Sequence, residues 1–215
     1  LTVASGNLTI QGAALVGGFA APLAGSSATG SRYGFSSAAA GDITVSGNIS
    51  LAGTSVTFLG AYLLGDVLST DGNVALTGSG LYAMSLSAPV TAGTGANPRT
   101  LTITTTGSNG YGLNTAAAAA LSATGSIALT SYATTGASGL AIAAPIRSTL
   151  RGDVVVSAYA GGGAGDHAFD LSAALSTANG GITLQGSALV GGVATAAPGT
   201  AMTSRQAAGF TSSAS

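Results

Sequence analysis

The chain has 215 residues, of which 44 are Ala, 35 Gly, 27 Ser and 27 Thr, and it contains no Lys, Glu, Cys or Trp. Five Arg, six Asp and one His leave a net charge of −1. Scattered arginines cannot form the basic stripe that nucleic acid requires, and the absence of Cys excludes a disulfide scaffold and a thiolate metal site.

Charged residues make up only 5% of the chain, yet hydrophobic ones reach 46% and mean hydropathy is +0.53. Disorder goes with low hydrophobicity and high net charge, so plain disorder is disfavoured. Gly and Thr occur throughout, and the Lys and Glu that wet the outer face of Ala-rich helices are missing. Helix is therefore disfavoured, and the run Ala116–Ala120 is too short to form one alone. No apolar stretch is long enough for a membrane-spanning helix. The first residue is Leu1, with no charged segment leading into an apolar one, so a processed product or a window on a longer chain is expected.

Short alternating runs recur along the chain: GNLTIQG (6–12), GDITVSG (41–47), GNVALTG (72–78), TLTITTTG (100–107), GSIALTS (125–131), GDVVVSA (152–158) and GGITLQG (180–186). Apolar residues two apart predict strands with one buried face. The pairs are Leu8 with Ile10, Ile43 with Val45, Val74 with Leu76, Ile127 with Leu129, Val154 with Val156, and Ile182 with Leu184; these twelve are the expected core. Taking Leu8, Ile43, Val74, Ile103, Ile127, Val154 and Ile182 as markers gives spacings of 35, 31, 29, 24, 27 and 28 residues. Gly, Asn and Asp before the runs supply turns. Further strands are expected at Ser55–Leu59, Leu81–Leu86, Gly139–Ile142 and Ala188–Val190.

A longer repeat contains the short ones. LTVASGNLTIQGAALVGG (1–18) and LSTANGGITLQGSALVGG (175–192) share 11 of 18 residues at an offset of 174. The match resumes where Arg32 to Ser37 meets Arg205 to Ser213. Residues 1–174 thus read as one unit of six short repeats, and 175–215 as the start of the next, within one continuous solenoid. No single short repeat can bury a core, whereas stacked coils give each strand a neighbour above and below. The predicted fold is all-β, a parallel β-solenoid of about seven coils with irregular loops.

GDITVSGNISLAG (41–53), LSATGSIALTS (121–131) and GDVVVSA (152–158), with their Gly, Ser, Thr and Ala spacers, resemble filamentous-haemagglutinin-type exoproteins and autotransporter passenger domains of bacteria. The resemblance implies a right-handed parallel β-helix at the cell surface or outside the cell, in a filament or adhesin shaft. The chain's expected partner is itself, end to end or laterally, with surface glycans as a further partner. No cofactor is expected.

Few residues point to chemistry. His167 lies between Asp166 and Asp170 in GGGAGDHAFD (161–170), which suits a general base or a metal ligand, but no second His, Cys or Glu accompanies it. A loop between coils is the plainer reading. The run approaches the calcium-binding nonapeptide, but Asp166 falls one residue early and the run occurs once. Asp42, Asp66, Asp71 and Asp153 adjoin Gly turns and read as turn residues, not as a hydrolase cluster. Arg147 and Arg151 suit an acidic sugar or a solvated edge. No enzyme is expected.

Thr102, Thr104 and Thr106 form a T-x-T-x-T strand of the kind that binds ice when repeated over many coils. The other runs offer Ser, Ala or Val at the matching positions, so no rank across coils is expected. Asn7-Leu8-Thr9 and Asn48-Ile49-Ser50 fit a glycosylation sequon and also suit turns. Tyr33, Tyr62, Tyr82, Tyr111, Tyr132 and Tyr159 recur about once per coil, as corner filling, a filament interface or a sugar platform. A discrete ice- or carbohydrate-binding module is the alternative to a shaft.

Overall fold

The computed structural model describes residues 1–14, 33–38, 41–56, 58–108, 110–134, 138–161, 167–190 and 193–194. Strands come in sets of three, one set per coil. The first coil holds β1 (Thr2–Val3), β2 (Leu8–Ala14) and β3 (Phe35–Ser37). The second holds β4 (Ile43–Val45), β5 (Ile49–Ser55) and β6 (Leu59–Leu63), and the third β7 (Val67–Ser69), β8 (Val74–Gly80) and β9 (Tyr82–Leu86). The fourth holds β10 (Val90–Ala92), β11 (Leu101–Gly107) and β12 (Leu113–Thr115), and the fifth β13 (Leu121–Ala123), β14 (Ile127–Ala133) and β15 (Ser138–Ile142). β16 (Ile146–Ser148), β17 (Val154–Gly161) and β18 (His167–Leu171) form the sixth. β19 (Leu175–Thr177) and β20 (Ile182–Val190) open a seventh, and β21 (Val193–Ala194) turns back antiparallel onto the end of β20.

Every third strand pairs in parallel, which makes a short seven-stranded sheet, a long sheet of seven parallel strands plus β21, and a six-stranded sheet. This is a three-sided β-solenoid of about five turns, slightly fewer than the seven coils expected. Ala116–Ala120 forms a turn, with the Ala119 N–H donating to the Ala116 carbonyl at 2.9 Å. β9 and β15 fall where strands were expected. Ser55–Leu59 instead spans the corner between β5 and β6, where the Phe58 N–H donates to Ser55 Oγ at 3.1 Å.

The register corrects two of the markers. In the long sheet Leu8, Ile49, Val74, Leu101, Ile127, Val154 and Ile182 lie side by side. Ile43 and Val45 belong to the short sheet, where Val45 pairs with Val3 and Ile43 with Val67. Ile103 sits one inward position further along, between Leu76 and Leu129. Coil lengths from the second coil on are then 25, 27, 26, 27 and 28 residues, more even than the sequence markers. The first step, from Leu8 to Ile49, is 41 and contains the residues 15–32.

Inward side chains of the middle coils stack into one apolar column. Ile43, Val45, Val74, Leu76, Ile127, Leu129, Val154 and Val156 are all buried, together with Leu63, Leu86, Leu113 and Phe169 from the six-stranded sheet. Each contributes on the order of 2 kcal/mol by leaving water. At the ends the expectation needs correction. Leu8, Ile10 and Leu184 are only half-buried, and Ile182 is 45% exposed. The reason is position: Ile182 has Val154 on one side and, among the described residues, no strand on the other.

The corner between the long and six-stranded sheets explains the small-residue composition. Gly12, Gly53, Gly78, Thr105, Ser131, Ala158 and Gly186 form one inward column of the long sheet. The facing strands present Gly60, Ala83, Gly112 and Gly139. A Cβ at Gly78 would stand 2.5 Å from the Ala83 carbonyl oxygen, and one at Gly139 2.6 Å from that of Tyr159. The two sheets meet backbone to backbone. The buried Thr105 hydroxyl donates to Ser131 Oγ at 2.8 Å, and Ser131 in turn donates to the Gly139 carbonyl, so no polar group is stranded there.

Side chains also tie each rung to the next at the turn before the long sheet. The N–H groups of Asn48, Asn73 and Thr100 donate to the Oδ1 atoms of Asn7, Asn48 and Asn73, each at 2.8 Å. The series continues as Asp153 N–H to Ser126 Oγ at 3.2 Å and Gly181 N–H to Asp153 Oδ1 at 2.8 Å. A slip of one residue would break every such bond, each worth about 1 kcal/mol, so the ladder fixes register.

Candidate functional site

The residues singled out for chemistry are spread over the solenoid. His167 opens β18 opposite Ser138, and Asp170 lies exposed on the same strand opposite Ala141. Asp166 and the preceding glycines Gly162, Gly163 and Gly165 lie outside the described residues, as do Arg32 and Arg205 to Ser213. Among the described residues no three His, Cys, Asp or Glu side chains gather as a metal site, and no helix is long and apolar enough to cross a membrane.

The aspartates hold turns. Asp42 Oδ1 accepts the Asp66 N–H at 3.0 Å, and Asp153 holds Gly181. Asp71 pairs with Arg99 at 2.7 Å across one coil. The hydrogen bond from the Arg99 guanidinium, reinforced by its charge, holds the Asp71 carboxyl below its ordinary value. The pair therefore supports the fold above the normal carboxylate range and loses that support as pH falls through the lowered value. Arg147 points outward from β16 and Arg151 is exposed in the following turn. Asn7 and Asn48, the two sequon asparagines, are exposed members of the register ladder.

The feature that stands out is the outer face of the long sheet. Its outward positions form three columns that run along the solenoid. The central one reads Gln11, Ala52, Thr77, Thr104, Thr130, Ser157, Gln185. One flank reads Thr9, Ser50, Ala75, Thr102, Ala128, Val155, Thr183, and the other Ala13, Thr54, Ser79, Thr106, Tyr132, Tyr159. None of these residues is charged. The short sheet, by contrast, carries Arg147 outward, and the six-stranded sheet Asp170.

Thr77, Thr104 and Thr130 make a threonine rank across three coils, continued by Ser157, where none was expected. Placing the marker at Ile103 instead of Leu101 slid β11 by two residues against its neighbours, which sets Thr106 in the place of Thr104 but leaves a rank of three that the sequence reading overlooked. Neighbouring members stand about 4.8 Å apart along the solenoid, and Thr102, Thr104 and Thr106 about 7 Å apart along the strand.

The tyrosines divide into two groups. Tyr132 and Tyr159 stack on the charge-free face with ring centroids 4.5 Å apart and planes 12° from parallel. Tyr33 stacks on Tyr62 at 5.4 Å, while Phe58 meets Tyr33 and Tyr82 edge-on at 5.6 Å. That second group lines the corner around β6. Tyr111 is exposed before β12.

Comparison of the chain with protein-family models, with curated proteins and with solved structures finds no match. Function has to be argued from the surfaces themselves.

Proposed function

We propose that the chain is a structural segment of an extracellular filament or adhesin shaft, extended by continued stacking of β-solenoid coils. One observation carries the reading. The last parallel strand of the long sheet, β20, repeats the pattern of the first, β2, while among the described residues no strand caps the solenoid core at either position. β2 is covered by β5, whose Ile49 and Leu51 seat on Leu8 and Ile10. Ile182 and Leu184 are the equivalents of Leu8 and Ile10, so the cover they fit is another copy of that same second coil. A continuing chain supplies it within one molecule, and a second molecule supplies it between subunits.

The test is length. A chain of two joined 174-residue units should form one straight rod. Its maximum dimension by small-angle X-ray scattering should exceed that of a single unit by about 29 Å, six rungs at roughly 4.8 Å, at unchanged cross-section. Growth in cross-section, or two bodies on a flexible joint, would overturn the shaft.

The threonine rank favours a second reading, in which the solenoid is a discrete module that binds ice or a glycan. Ice-crystal growth in the presence of the chain separates the two. A depressed freezing point that Thr104→Lys abolishes is the result expected of an ice-binding face, and no depression is expected of a shaft.

A further inference from the structure

We infer that the charge-free face of the long sheet is a lateral interface, on which a second copy of this solenoid lies side by side with the first. The surface is distinct from the solenoid ends, so the inference stands apart from axial stacking.

Size, chemistry and symmetry carry it. Seven strands at 4.8 Å spacing, each about seven residues long, give a face of roughly 34 by 20 Å, or about 700 Å² per copy. Two such faces bury about 1,400 Å², within the range of roughly 1,200–2,000 Å² found for stable protein pairs. Charge is depleted at the centre of protein interfaces and tyrosine is enriched there. The face has no charge, and it carries the Tyr132–Tyr159 stack with Tyr132 45% exposed. The remaining side chains are mostly Thr, Ser and Ala, small enough for two sheets to approach at about 10 Å.

The face is also self-complementary. Thr104 sits on the fourth of the seven strands and in the central column, so a two-fold axis in the interface plane through this point sets Thr104 against its own mate. With the axis along the strands, Tyr132 and Tyr159 of one copy meet Ser79 and Thr54 of the other, and Gln11 meets Gln185. With the axis along the solenoid, the tyrosines meet Ala128 and Val155. Either way the two projecting rings are received by smaller side chains. The same rings would interrupt a flat fit to an ice lattice, which favours a protein partner here.

Sedimentation velocity on the full 215-residue chain tests the inference. The wild-type chain should pass from monomer to dimer over the micromolar range. Thr104→Arg places a charge at the centre of the face, on an exposed position that leaves the coil intact by circular dichroism. It should weaken dimerisation on the order of 100-fold. Ile182→Arg, at the solenoid end, should leave the dimer unchanged. Since the chain has no cysteine, Thr104→Cys should cross-link readily with a short bismaleimide, and Ser122→Cys on the short sheet should not. A wild-type chain that stays monomeric would overturn the interface. So would a dimer that survives Thr104→Arg, or one that is lost with Ile182→Arg.

Discussion

The Ile127→Asp chain is expected to be the least stable single variant of the core, with a loss of at least about 4 kcal/mol at neutral pH. Ile127 begins β14, is 1% exposed, and stands between Leu101 and Val154 in the innermost column of the long sheet. Among the described residues no cation is buried beside that column to pair a carboxylate. The substituted carboxyl would have its pKa raised by burial, so the sign of the pH dependence is fixed. Folded and unfolded forms are both protonated below about pH 4, and the penalty there is that of a buried neutral polar group. It grows as pH rises from that value to the raised folded pKa. Urea unfolding followed by circular dichroism at acid and neutral pH measures both parts. Ile182→Asp is the control, since that position is already 45% exposed and should cost far less within one chain. Equal losses at the two positions, or none at Ile127, would mean that the column is not the core.

Gly78→Val is expected to cost about 3 kcal/mol, a drop in Tm of roughly 6–12 °C for a chain of this size. The added Cβ would lie 2.5 Å from the Ala83 carbonyl oxygen and 3.1 Å from Met84 Cβ. The first of these is backbone and cannot rotate away, so the long and six-stranded sheets must part locally. Thr105, Ser131 and Ala158 occupy the same column in later coils, where the partner strand has adjusted around them. The cost at Gly78 is thus one of fit to its own coil, not of conformational freedom. Differential scanning calorimetry reads it directly, and an unchanged Tm would show that the corner is loosely packed.

Much of this architecture is legible in the sequence. Alternation at Val74/Leu76 or Val154/Val156 reports a strand with one buried face, and the recurrence of residues 1–18 at 175–192 reports a coil that begins again. Register is harder to read. In GDITVSGNISLAG two alternating runs follow one another, and only pairing with β1 places Ile43 in one sheet and Ile49 in the next. In LTITTT every second residue fits either phase, so Ile103 passes for Leu101 and Thr106 takes the place of Thr104 beside Thr77 and Thr130. The close corner is illegible for a different reason. Gly, Ala and Ser suit turns as well as sheet-to-sheet contact, and composition does not say which. The even spacing of the tyrosines suggests one column, yet coils of unequal length put them on two sides. Burial at the ends depends on what covers them, which no run of residues within the end strand encodes.

The every-third-strand pairing has a kinetic corollary. Each strand finds its partners one coil away, so the loop that must close is about 27 residues however long the chain becomes. In a globular β-protein, distant pairings slow folding as the sequence separation of contacts grows. Here that separation is constant, and once a first pair of coils has formed, each further coil adds to a finished template at the same entropic cost. A solenoid of many such repeats should therefore grow in proportion to the length of chain released, and reach its native state no more slowly per coil than this chain does.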